Sequence, residues 1–125
     1  MLLLSQCSLG PSASQKAEAG RISHAIDALR DAPNSAKQQL FAALREAACE
    51  TPDLCALKQQ CVTGFEAHLH ALSETARAKS LLLSPGNEHE AAIALTAAET
   101  GLSQAAPEIT KCTDLQGAAQ RKYKP

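Results

Sequence analysis

The stretch from Pro52 to Pro85 constrains this chain more than any other. Between those two prolines there is no third, Gly64 is the only glycine, and apolar residues recur at helical spacing throughout. Thr51 suits an N-cap, Pro52 the first helical position, and Asp53 puts a negative charge in the first turn. The spacing predicts a helix over about 52–82, roughly 45 Å long at ~1.5 Å per residue. At ~100° per residue, Leu54, Leu57, Cys61, Phe65, His68, Leu72, Ala76, Lys79 and Leu83 fall within about 50° of one line. Lys58, Gln59, Glu66, Glu74 and Arg77 lie on or near the other side. That polar side carries both signs of charge, which reads as an amphipathic bundle helix rather than a membrane-surface helix.

The rest of the chain supplies shorter helices to lay against it. At 125 residues it makes one domain. Alanine and leucine dominate the apolar set, Ile and Val are few, and the only aromatics are Phe41, Phe65 and Tyr123. Strands favour β-branched and aromatic residues, so the expected fold class is all-α. Alanine buries little area, so the core is thin and would gain from covalent staples. The net charge of −1 argues against general nucleic-acid binding, which needs a basic face. The charge is uneven, however. Residues 80–110 hold Glu88, Glu90, Glu99 and Glu108 and neither Lys nor Arg; residues 111–125 hold Lys111, Arg121, Lys122 and Lys124 against Asp114.

Ser12 and Gln15 form a capping box that opens the first helix, with Ile22, Ala25, Ile26 and Leu29 inward. Asp31 to Ser35, with Pro33 between them, ends it. Ser35 and Gln38 repeat the box. A second helix to about Cys49 would turn Leu40, Phe41, Leu44, Ala47 and Ala48 inward. Ser84-Pro85-Gly86-Asn87 is a turn, with Asn87 as the next N-cap. The fourth helix spans about 88–105, with Ala91, Leu95, Ala98 and Leu102 on one face, and Pro107 breaks it. Residues 108–116 form a short helical or extended segment holding Ile109, Cys112 and Leu115. The expected organisation is a signal-like or flexible segment over 1–12, a four-helix up-down bundle over 13–116 around the long helix at about 52–82, and a flexible basic tail over 117–125.

Five cysteines carry the strongest chemical signal: Cys7, Cys49, Cys55, Cys61 and Cys112. A shared zinc ion does not fit. Cys55 and Cys61 point ~120° apart on one helix and sit ~9 Å apart along its axis, too far for bonds of ~2.3 Å. Disulfides do fit. Cys49 and Cys55 flank a helix–helix turn and can face each other across it. Cys61, further up the stripe, then pairs with Cys112. The alternative is free thiols packed as small hydrophobes in a cytosolic protein. A catalytic thiol is disfavoured, because no histidine is placed to activate one.

At the N-terminus, Leu2-Leu3-Leu4 leads into Leu4-Ser5-Gln6-Cys7. This resembles the end of a bacterial lipoprotein signal peptide, where an apolar run and small residues precede the cysteine that takes the lipid. Gln6 stands where that pattern has Gly, Ala or Ser. The resemblance implies a lipid on Cys7 and a membrane tether, with the protein in the periplasm or at the outer membrane. An odd N-terminal cysteine beside two internal pairs agrees with that arithmetic.

The histidines do not form a motif. His68 and His70 point ~200° apart on a helix. Glu88-His89-Glu90 opens the fourth helix, where carboxylates suit the dipole. A metal-binding or metal-sensing bundle would have to use His68, His89, Glu88 and Glu90. The Glu-x-x-His pairs of di-iron bundles, phosphate-binding glycine loops and nucleophile elbows are absent. The leading expectation is a non-enzymatic structural or protein-interaction module of the bacterial envelope, with an envelope protein as partner and no cofactor. The alternatives are the periplasmic metal-binding bundle and a cytosolic partner-binding bundle with free thiols.

Overall fold

The computed structural model of the chain describes residues 10–124. Cys7 and nearly all of the expected N-terminal segment lie outside the described residues. Four helices follow: α1 (Ala13–Asp31), α2 (Asn34–Glu46), α3 (Pro52–Leu81) and α4 (Glu88–Lys122). The fold is an all-α four-helix bundle with a long α3. No strand occurs among the described residues.

Helices α3 and α4 form one long antiparallel hairpin, closed at its tip by Ser84–Asn87. Gly86 takes φ +93° there, a conformation that side chains resist. The hairpin is zipped by small residues. Gly64, Ala71 and Ala78 on α3 recur at heptad spacing and are buried. They face a row on α4 that includes Ala91, Ala94, Ala98 and Ala105, all buried. A Cβ built on Gly64 would lie 3.1 Å from the Glu108 and Ile109 backbone, and one on Gly101 would lie 3.1 Å from the Ala71 Cβ. The two backbones therefore approach more closely than leucine-faced helices can.

Helices α1 and α2 cover one side of the hairpin's lower half. The core sits between these layers: Ile22, Ile26 and Leu29 from α1, Phe41 and Leu44 from α2, and Leu54, Leu57, Cys61, Phe65 and Leu69 from α3. Helix ends here are capped from other parts of the fold. Glu18 of α1 accepts the N–H groups of Glu50 and Thr51 and the Thr51 hydroxyl, satisfying the entry to α3. Lys37 of α2 donates to the carbonyls of Leu29 and Arg30 at the end of α1 (2.9 and 3.1 Å). Lys58 of α3 donates to the Ala47 carbonyl just past α2, at 2.6 Å.

Both disulfides are present in the pairing expected. Cys49 is bonded to Cys55 across the α2–α3 turn, with Cα atoms 5.4 Å apart. Cys61 is bonded to Cys112, with Cα atoms 4.7 Å apart, and so staples α3 to α4. The capping box of Ser12 and Gln15 also forms.

Several local expectations are corrected. Pro107 does not break the fourth helix, which runs unbroken to Lys122. Proline removes one backbone donor, but the turns that follow it are held. Gln60 donates to the Glu108 carbonyl at 2.9 Å and to its carboxylate at 2.8 Å, and the Cys61 bridge fixes Cys112. The residues expected as a separate C-terminal segment and a flexible tail are thus the last turns of α4. Tyr123 is buried, and its hydroxyl donates to Asp53 at 2.7 Å, beside the Lys122–Asp53 ion pair at 2.8 Å.

Helix α2 starts at Asn34 rather than after Ser35, and ends at Glu46 rather than Cys49. Ala32, which precedes a proline, is extended, so the chain re-enters helix straight after Pro33. Thr51 and Asn87 occupy N-cap positions without capping through their side chains, since the Thr51 hydroxyl is drawn to Glu18. Inward positions also differ. Ala48, Leu95, Leu102 and Leu115 are exposed. The alanine row turns α4 so that its leucines flank the seam instead of filling it.

Candidate interaction surface

The apolar line expected along α3 exists, but the chain covers only its lower part. Leu54 and Phe65 lie on that line and are buried under α1 and α2. Leu72 lies about five full turns above Leu54 and repeats its direction, while Leu83 stands in the turn just past the end of α3. Leu72 is half-buried at the edge of the core, Ala76 and Lys79 are exposed, and Leu83 is 85% exposed.

Helix α4 repeats the pattern. Thr113 and Gln120 face α1: Arg30 donates to the Thr113 hydroxyl (3.4 Å), and Gln120 donates to the Ser23 hydroxyl (3.0 Å). Leu95 precedes Thr113, and Leu102 precedes Gln120, by about five full turns. Both leucines therefore point the same way as groups that hydrogen-bond to α1 while staying exposed, and they are themselves 41% and 38% exposed. The cause is length. Helices of 19 and 13 residues cannot cover a hairpin of 30 and 35.

The upper hairpin thus presents a two-helix face with Leu72, Ala76 and Leu83 on one edge and Leu95 and Leu102 on the other. A groove of about 450 Å³ marks the N-terminal end of α2, bounded by Asn34, Ser35 and Gln38 on α2 and by Leu69, Leu72, Ala76 and Lys79 on α3. Glu88 and Glu99 stand one or two turns from Leu95 and Leu102 along the same flank.

Below this face the two layers are locked by a half-buried polar cluster centred on Gln116. Gln116 is 3% exposed; its amide donates to Asp27 (2.8 Å) and to the Ser23 hydroxyl (2.9 Å) and accepts from Arg30 (3.0 Å). Hydrogen bonds from Thr51 and from the backbone of Glu50 and Thr51 hold the Glu18 carboxyl below the usual range, outweighing the opposing effect of burial. Hydrogen bonds from Lys122 and Tyr123 do the same for Asp53.

His68 sits half-buried in mid-hairpin, its pKa lowered by burial and then by nearby Lys37. Glu88, His89 and Glu90 lie at the hairpin tip, on the order of 20 Å from His68 along the helices. The structure does not bring these four residues together. Among the described residues no three His, Cys, Asp or Glu side chains cluster as a metal site would require. No described helix is long and apolar enough to cross a membrane. No protein-family model, curated protein or solved structure matches the chain.

Sequence reasoning missed the Gln116 cluster and the Glu18 cap, since both join residues far apart in the chain. It also missed the open face, although each of its residues was on the expected stripe. The only signal was the mismatch in helix lengths.

Proposed function

We propose that the protein is a non-enzymatic interaction module of the bacterial cell envelope, tethered by a lipid on Cys7. The observation that carries this reading is the apolar face left open on the upper hairpin. Contiguous exposed apolar surface beside a polar rim is the usual mark of a protein-binding site. The two disulfides add support, because they fit an oxidising, extracellular compartment. Geometry adds a third argument. Gly10 and Pro11 lie against Thr51, Pro52 and Tyr123 at the base of the bundle, opposite the hairpin tip. The described chain thus begins at the base, at the opposite end from the open face.

The test is fractionation of the native host. The protein is expected with the membranes, and a Cys7→Ser variant in the periplasmic fraction. A specific turnover abolished by one side-chain change would overturn the non-enzymatic reading. Retention of the protein in the cytosol would overturn the envelope assignment.

A further inference from the structure

We infer that the open upper face of the α3–α4 hairpin seats an amphipathic helix of a partner protein, with basic residues along the flank that lies over α4. The inference rests on the interaction-module reading and specifies its partner. Three observations lead to it.

The first is continuity. Leu72 repeats the direction of Leu54, with Leu83 in the turn beyond it, and Leu95 and Leu102 repeat those of Thr113 and Gln120. Lower down, Leu54 is covered by helices of this chain, and the exposed Thr113 and Gln120 hydrogen-bond to α1. The open face is the same layer continued without its second half, so the shape it offers is the shape that already accepts helices. Leu72 to Leu83 spans roughly 17 Å, about three helical turns.

The second is charge. From residue 80 to residue 110 the chain holds Glu88, Glu90, Glu99 and Glu108 and neither Lys nor Arg. Glu108 is engaged by Gln60 and Lys111, while Glu88, Glu90 and Glu99 are exposed. Glu88 and Glu99 border the leucine edge on α4. Lysine or arginine beside the partner's apolar stripe complements that edge, and an acidic flank is repelled. The same acidic edge disfavours an anionic lipid surface.

The third excludes a second copy. Packed face to face about a two-fold axis, two copies have two arrangements. An antiparallel pair lays acidic α4 on acidic α4. A parallel pair drives the two α1–α2 layers into each other. The occupant is therefore a different chain.

The test uses two synthetic helices with the same leucine stripe, one with a lysine flank and one with a glutamate flank. Binding to the full, oxidised chain is followed by fluorescence anisotropy at physiological salt. The lysine helix is expected to bind at least tenfold more tightly than the glutamate helix. A Leu83→Ser/Leu95→Ser/Leu102→Ser variant should lose at least tenfold in affinity for it, with an unchanged helical signal. Leu115→Ser, an exposed leucine outside the open face, should lose nothing, and Glu88→Gln/Glu99→Gln should lose about threefold.

Absence of binding by either helix, equal binding of both, or equal loss from Leu115→Ser would overturn the proposal. So would a concentration-dependent dimer that the triple leucine variant abolishes. That last result would remove the helical partner while leaving the interaction role intact. An enzymatic turnover would remove the role itself.

Discussion

The carboxylate of Glu18 accepts the hydroxyl of Thr51 at 2.6 Å and its backbone N–H at 3.1 Å, although 32 residues lie between them. A side chain in the second turn of α1 thereby does the capping that Thr51 would otherwise do for α3. Glu18 is only 6% exposed, and its loss leaves three donors at the half-buried entry to α3 without their partner. Glu18→Ala should cost about 2–3 kcal/mol of unfolding free energy, and Glu18→Gln somewhat less, in urea titrations of the oxidised protein.

The same contact sets the acid limit of stability. The carboxyls of Glu18 and Asp53 lie below their ordinary values in the folded state. A lowered carboxyl pKa stabilises the fold above the unfolded value and loses that contribution as pH falls through the folded one. Stability should therefore drop from about pH 4.5 downward. Asp53 is about half exposed and should contribute the smaller share. His68 also titrates lower when folded, so a separate, earlier loss begins as pH falls below about 6.5. Glu18→Gln should flatten the acid limb in pH-dependent thermal melts while leaving the histidine step in place.

The two disulfides should differ in worth. Cys61–Cys112 closes a separation of 51 residues and Cys49–Cys55 one of 6. In the chain-entropy view these give about 4 and about 2 kcal/mol respectively. Cys61→Ala/Cys112→Ala should lower the urea midpoint more than Cys49→Ala/Cys55→Ala. The gap should widen further because Cys61 and Cys112 are wholly buried.

Two glycines in helices should respond with opposite signs. Nothing lies within 4 Å of a Cβ placed on Gly20, whereas at Gly64 it meets the α4 backbone at 3.1 Å. Gly20→Ala should stabilise by about 0.5–1 kcal/mol through helix propensity alone. Gly64→Ala makes the same propensity gain but must move α4 near Pro107. It should be net destabilising by about 1 kcal/mol or more, as other overpacked cores are. Thermal melts of the two variants side by side decide this.

The sequence made the architecture legible where the signal was local. The start of α1, the unbroken α3 and the turn at Pro85–Gly86 all follow from neighbouring residues. The cysteine pairs followed from helix geometry. The fourth helix did not, because a proline rule is local and the forces holding α4 through Pro107 come from Gln60 and Cys61 on another helix. The inward face of α4 was misread for a related reason. Leucines outrank alanines as core candidates in isolation, but a glycine–alanine seam lets two backbones approach so closely that Leu95 and Leu102 are displaced to its edge. The open surface lies on the very stripe that the spacing picks out. Periodicity marks what can be buried, and only the lengths of α1 and α2 determine how much of it this chain buries itself.

The most direct test of the account is the intact mass of the protein isolated from its native host, alkylated with and without prior reduction. Before reduction, Cys49, Cys55, Cys61 and Cys112 should take no alkyl group, and all four should take one afterwards. The chain should begin at Cys7 and carry the added mass of a lipid. Five alkylated thiols on an unprocessed chain, without reduction, would contradict the account. They would leave a cytosolic bundle with free cysteines.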